Sequence, residues 1–503
     1  MQMKMKLLSY ITYCAGALLL LNACSKSWLN PAVPGELVTT DSTFLDPANA
    51  EKFVNACYTQ LLTWEQSSFS WIGVTSITSD DADKGSAPGD LGTDKDQLDN
   101  FTYTATTPSI ATVWKSNSQG ISRCNQALAN VPQFDTSAAL KSRLRGEALF
   151  LRAFYYFNMV RTFGEVPIVD TVIDANNPAD LEKINDRRPV PEVYALIERD
   201  LQEALALLPN KEQYDPKDLG RATKGAAAAL LAKVSLYQQK WDAVLTLTDN
   251  IMSGAYGSYA LVPDYTTIWR EVGENSPESL FEIQSKGTVP FAAVQQYSVV
   301  QSIRGGTFND GAVVLTGWGF NSVSEDLYNA YEPGDVRRNA TIMSIGDTLF
   351  DGVVIINAVS KRYNYKAYVS RTMESYGDNN DKVNKNIRVL RMGEIYLMNA
   401  EAANELGQTA KAQTALNAVR QRAGLANTTA ASQADLRNAI WQERRVELAM
   451  EHDRFYDLVR QGRAGTVLRA HGKDFVDGKH EVFPVPQSEI YASSGKLTQN
   501  NGY

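Results

Sequence analysis

Histidine, cysteine and uncompensated positive charge are all scarce in this chain of 503 residues. The three histidines, His452, His471 and His480, form no HExxH pair, and no GxSxG elbow, Walker loop or GxGxxG turn occurs. The common zinc-hydrolase, serine-hydrolase and nucleotide-binding motifs are therefore absent. Lys and Arg number 49 against 57 Asp and Glu, a formal net charge of −8. Without a basic stripe to neutralise phosphates, nucleic acid is not an expected partner. Of the four cysteines, Cys57 and Cys124 sit in helical contexts with no metal or redox spacing, and either pair or stay as buried thiols. The one long apolar run, residues 7–21, falls short of the ~20 residues a helix needs to cross a bilayer. No Pro/Gly/Ser-rich linker divides the chain.

What is present begins with that apolar run. Lys4 and Lys6 precede it and the small residue Ala23 follows, the layout of a signal peptide spanning residues 1–23. Leu21-Asn22-Ala23-Cys24 resembles a bacterial lipobox. That resemblance implies that Cys24 carries lipid and opens the mature chain, anchoring it to the outer membrane, where more than one acyl chain is needed for firm attachment.

Beyond residue 120 the pattern is helical and comes in pairs. Residues 141–163 read as one helix with Lys141, Arg145 and Arg152 on a narrow polar strip and apolar residues on the other sides, so it packs against several neighbours. Residues 224–254 read as two helices with a turn near Gln239-Lys240, the first rich in alanine. Residues 387–425 read as another pair turning at Leu406-Gly407, and a last helix spans about 434–460. Small side chains let paired helices approach closely, and stacked pairs bury a core that no single pair can, which is the logic of tetratricopeptide (TPR) repeats. With the less regular regions 120–163 and 189–208, the expectation is a mainly α fold of about four TPR-like pairs. Two long stretches, 66–118 and 255–386, lack helical period and read as irregular insertions whose aromatic content argues against disorder.

Several stretches together resemble the SusD/RagB family of nutrient-binding outer-membrane lipoproteins. They are the lipobox with Trp28-Leu29-Asn30-Pro31, "RGEALFLRAFYYFNMVRTFGEVPIV", "RRPVPEVYALIERDLQEALALLP", "GWGFNSVSEDLYNAYEPGDVRR", "RVLRMGEIYLMNAEAANELG", "ERRVELAMEHDRFYDLVRQGR" and the closing "VFPVPQSEIYASSGKLTQNNGY". Their order spans nearly the whole mature chain. The resemblance implies an N-terminal TPR region over 24–275 with the insertion 66–118. It also implies a C-terminal region over 276–503, with loops 276–386 and terminal helices 387–460. Functionally it implies non-catalytic binding of an oligosaccharide, or in some members a peptide, at the cell exterior. Delivery then follows to a SusC-like TonB-dependent transporter. A protein-interaction scaffold and a glycosidase, which needs only two facing carboxylates, are the alternatives.

Candidate ligand residues follow from sugar chemistry. A sugar's C–H face packs on an indole while its hydroxyls need polar partners. Trp318, flanked by Gly317 and Gly319, and Trp71 are the candidate platforms, with Asn321, Asp81 and Asp83 as polar partners. Asp80, Asp81 and Asp83 lack the spacing of a calcium loop, so no metal and no cofactor is expected. Trp269 reads as structural. Arg444, Arg445, Glu447, Glu451 and Arg454 recur at helical spacing and read as ion pairs within one helix rather than as acid–base groups.

Overall fold

A computed structural model describes residues 46–87, 89–90, 93–285, 296–309, 317–375 and 383–503. The signal segment 1–23 and Cys24 lie outside these described residues. The principal helices are α1 (Ala48–Leu61), α2 (Pro108–Asn130), α3 (Ala138–Phe163), α4 (Val190–Leu207), α5 (Lys224–Tyr237), α6 (Trp241–Met252), α7 (Met392–Glu405), α8 (Thr409–Arg422), α9 (Gln433–Glu447) and α10 (Arg454–Arg460). From α1 to α8 each packs on the next in chain order, and α9 returns onto α7 and α8. This is the stacked-pair, TPR-like scaffold that the small-residue pattern predicts.

Local chemistry accounts for these boundaries. Ser137 caps α3 by accepting from the Leu140 amide at 3.2 Å, and Thr223 caps α5 by accepting from Ala226 at 3.1 Å. Every residue of α5 from Gly225 to Leu236 is buried, because alanines on all sides let α4, α6 and α7 close around it. On α2, a Cβ at Gly120 would lie 2.6 Å from the Tyr155 ring, so glycine sets how closely α2 meets α3. Cys57 and Cys124 face this same core as buried free thiols.

Four sequence readings are corrected. Residues 108–118 belong to helix α2 rather than to an irregular insertion, since Pro108 stands at the first helical positions where its missing N–H costs nothing. Residues 387–391 form a strand, not the start of a helix. Arg152 does not continue the narrow polar strip of Lys141 and Arg145 into solvent but is buried, with bidentate bonds of 2.7 and 2.9 Å to Asp200 of α4. The last helix is two helices, broken where Met450 and His452 take φ of 64° and 72°.

Among the described residues ten short strands form five two-stranded antiparallel sheets, and those that bear on the site are β1 (Ala82–Gly85), β2 (Ser279–Ile283), β3 (Phe320–Val323), β4 (Ile342–Ser344), β5 (Arg362–Asn364) and β6 (Ile387–Arg391). They pair antiparallel as β1–β3, β2–β6 and β4–β5. The β1–β3 register sets Ala82 opposite Val323, Asp83 opposite Ser322 and Gly85 opposite Phe320.

The charges expected to pair within one helix instead join separate elements. Glu447, fully buried, accepts from Arg391 at 2.5 Å, from Arg337 at 3.0 Å and from Arg422. Arg444 reaches Glu394 of α7 and Asp457 of α10. Burial alone would raise the Glu447 carboxyl, yet Arg422, Arg391 and Arg337 hold it well below the usual carboxylate range. Glu447→Gln leaves three buried guanidinium groups short of countercharge. Chemical denaturation is expected to show a loss of about 3–5 kcal/mol. Glu192→Gln, which breaks the exposed pair with Arg188, is expected to leave the midpoint unchanged.

Candidate functional site

The chain leaves α1 through two single-turn helices, Trp64–Ser67 and Phe69–Ile72, followed by a π-helical turn, Gly73–Ile77. Phe69 and Trp71 lie two positions apart on one turn, so their side chains diverge by about 200°. Both are half-buried, Phe69 on a small cluster with Trp64 and Trp318 and Trp71 against the main helical core.

On the first of these sides, Phe69, Trp64 and Trp318 meet. Trp318 lies 5.6 Å from Trp64 and 5.8 Å from Phe69, ring centroid to centroid, both edge-to-face, and Phe69 stands 4.8 Å from Phe320. All three rings are half-buried, resting on Ile72, Ile77, Val300 and Phe320 while keeping part of their surface in solvent. Backbone bonds hold Trp318: its amide donates to the Val299 carbonyl at 2.9 Å, and Gly317 donates to Ile303 at 2.7 Å. Gly319 takes φ of +72°, and a Cβ there would come within 2.6 Å of Arg304 Cβ. Only glycine lets the chain turn from Trp318 into β3 beneath that side chain.

A polar rim borders the rings. Arg304 Nη2 pairs with Asp90 Oδ1 at 2.9 Å and its Nη1 donates to the Trp318 carbonyl at 3.4 Å. Asp90 Oδ2 accepts from the Ser86 hydroxyl and from the Ala87 amide at 3.3 Å. The hydrogen bond from Ser86 is the main reason its carboxyl lies below the usual value. Lys95 places its ammonium 3.8 Å from the centre of the Phe69 ring and pairs with Asp94 at 2.7 Å. Burial alone would raise the Asp94 carboxyl, but Lys95 draws it down.

The residues expected from sequence are dispersed. Trp318 is in the platform. Trp71 is half-buried on the far side, lining a cavity of ≈ 60 Å³ with Gln66, Arg161, Lys233 and His452, and the Arg161 guanidinium lies 5.8 Å from its ring. Asp81, expected as a polar partner of the ligand, is 1% exposed and accepts from Arg445 Nε at 2.8 Å. Burial pushes its carboxyl up against the pull of Arg445. Its neighbour Asp80 takes both Arg454 and Arg445. Asn321, also expected as a polar partner, is fully buried. Its amide donates to Gln301 Oε1 at 2.7 Å, the same oxygen that Asn364 of β5 reaches at 2.8 Å, and its φ of 57° is the left-handed conformation that asparagine tolerates. Asn321 therefore positions the loop that carries Trp318. Asp83 is exposed and meets His471 Nε2 at 3.3 Å. Trp269 is buried, as its structural reading requires. Sequence reasoning missed Trp64, Phe69, Asp90 and Arg304. The available signal was the aromatic density of "WEQSSFSW" among polar residues.

Stacked helix pairs that carry a half-exposed aromatic platform on inserted segments define a helical-repeat binding protein. Comparison with known proteins makes this more specific. The SusD family model matches residues 278–503, and a model described as starch-binding, associating with outer membrane, matches residues 38–236. This chain belongs to the SusD family. It is 27% identical to SusD-like protein P2 of Formosa agariphila over 97% of this chain and 98% of that protein. Its fold is similar to a laminarin-binding SusD-like protein, with a TM-score of 0.78 and 28% identity over 92% of this chain and 100% of that one. It is also similar to surface glycan-binding protein A from Bacteroides thetaiotaomicron in complex with laminarihexaose, with a TM-score of 0.76 and 25% identity over 90% and 99% of the two chains.

Two substitutions check the structural roles of Trp71 and Asn321. Trp71→Ala is expected to lower unfolding stability by about 2–3 kcal/mol through lost packing. Asn321→Ala is expected to cost about 1–3 kcal/mol through a lost buried hydrogen bond and left-handed strain. Thermal and denaturant melts of each variant give the values; an unaltered Asn321→Ala midpoint would mean that this side chain does not hold the loop.

Proposed function

We propose that this protein binds an oligosaccharide without cleaving it and passes it to a SusC-like TonB-dependent transporter, held at the outer membrane by lipid on Cys24 and facing the cell exterior. The observation that carries the reading is the half-exposed platform of Trp64, Phe69 and Trp318 with its rim of Arg304 and Asp90. Three rings offer apolar area to sugar C–H faces, and the rim offers hydroxyl partners at the edge. The glycan ligands named for the laminarin-binding relative and the laminarihexaose complex support the same chemistry.

Binding without hydrolysis is supported by the carboxylates at the platform. A glycosidase needs a carboxyl held protonated near neutrality to act as general acid. Asp90 and Asp94 are instead drawn below their ordinary values by donors and cations. No helix among the described residues is long and apolar enough to cross a membrane, and the attachment proposed is through the lipid.

Calorimetric titration against plant, fungal and host oligosaccharides is expected to show binding with no shorter product formed. Trp318→Ala and Trp64→Ala are each expected to weaken it roughly tenfold, about 1.4 kcal/mol, while Trp71→Ala leaves affinity unchanged. Heat from peptides and from no glycan would transfer the site to peptide uptake. For the anchor, Cys24→Ala is expected to move the chain from the membrane fraction to the soluble fraction and abolish its labelling by a fatty-acid analogue. Retention in the membrane without label would overturn lipidation.

A further inference from the structure

We infer that the Arg304–Asp90 pair makes this site selective for uncharged glycans, bracketing vicinal hydroxyls beside the Trp318 ring and excluding uronate and sulfated chains. The inference rests on the oligosaccharide reading of the same platform and specifies its ligand class.

Arg304 is held against the platform in two ways: its stem crosses Gly319, and its Nη1 donates to the Trp318 carbonyl. Two of its five N–H groups are thereby used, one on Trp318 and one on Asp90. Asp90 is held in turn by Ser86 and the Ala87 amide, so the acceptor and the donor fork sit side by side in a fixed arrangement. Both groups remain partly in solvent, at 33% and 26% side-chain exposure, which is what allows a ligand to reach them. A sugar hydroxyl donates and accepts at once. Adjacent hydroxyls therefore satisfy a guanidinium N–H and a carboxylate oxygen together without disturbing the pair.

An anionic sugar meets a different balance. Arg304 is already neutralised by Asp90, and Lys95, which lies over the Phe69 ring, is neutralised by Asp94. A carboxylate or sulfate brought to Arg304 would approach the Asp90 charge at close range. It would have to displace that carboxylate before gaining a charge-assisted bond. The overall net charge of −8 adds long-range repulsion of polyanions.

The test titrates the full chain, purified in detergent, against neutral hexasaccharides (β-1,3-, β-1,4- and α-1,4-linked glucans, a xylan and a mannan) and against hexagalacturonate. The unaltered chain is expected to bind at least one neutral hexasaccharide and to give no heat with hexagalacturonate. Asp90→Asn, which keeps the shape and frees the Arg304 cation, is expected to bring hexagalacturonate binding into the measurable range while lowering neutral affinity about fivefold. Arg304→Met is expected to lower neutral affinity about tenfold with no gain of anion binding. That asymmetry separates recognition from mere support, since a structural defect would not create affinity for an anion, and equal melting temperatures of the three proteins exclude unfolding. Tighter binding of hexagalacturonate than of any neutral glycan by the unaltered chain would overturn the selectivity and leave oligosaccharide uptake standing. Neutral binding that neither variant alters by more than about twofold would remove the pair from recognition. Silence with every sugar, together with heat from peptides, would overturn the oligosaccharide reading and this inference with it.

Discussion

A guanidinium taken out of water must find a carboxylate, and the architecture of this protein turns on how the last turn of α9 meets that demand. Arg444, Arg445 and Glu447 point to three different parts of the chain. Arg444 ties α9 to α7 and α10. Glu447 gathers Arg337, Arg391 and Arg422 from a loop helix, from β6 and from α8. Arg445 reaches Asp80, Asp81 and Asp326. Arg444 and Glu447 are desolvated, so losing one of their partners would cost several kcal/mol, whereas the Arg445–Asp326 pair, with Asp326 57% exposed, contributes little. One helical turn thus joins the stacked pairs to the inserted segments.

The platform depends on that joint. Arg445 and Arg454 hold Asp80 and Asp81, which fixes the chain entering β1. β1 pairs with β3, and the Ser86 amide beyond it donates to the Gly319 carbonyl at 2.6 Å. Gln301 collects Asn321 and Asn364 from beneath. Trp318 is thereby placed from the C-terminal half of the chain, while Trp64 and Phe69 arrive from the end of α1 in the N-terminal half. The site exists only where the two halves close on each other. Its rings are held from beneath by buried charges and amides.

Much of the scaffold was legible because helix packing leaves periodic traces. The alanines of α5, the glycine turn between α7 and α8, and the apolar sides of α3 all announced themselves through spacing and side-chain size. The errors share a different origin. Residues 387–391 read as helix because a short apolar run looks alike in both states until a partner strand is known, and here that partner, β2, lies about a hundred residues away. The Arg and Glu residues of 444–454 recur at helical spacing, but the break at Met450 and His452 sends them to other elements. Asp81 and Asn321 carry the same hydrogen-bonding groups whether they face a sugar or a buried arginine or glutamine, so residue type alone could not tell the two apart.

Composition, motif order and periodicity alone determined the acidic balance, the helical-pair scaffold, the family and the interest of Trp318 between two glycines. Those features are local, written in neighbouring residues and in spacings of three and four. Tertiary structure alone decided that Trp64 and Phe69 complete the platform, that Trp71 packs against the main helical core near Arg161, and that Asp90 neutralises Arg304 beside Trp318. Each of these joins residues far apart in the chain, as Asp90 and Arg304 are, or depends on which side of a single helical turn a ring faces. Contacts at such separations are set by the closing of the core, and no local spacing encodes them.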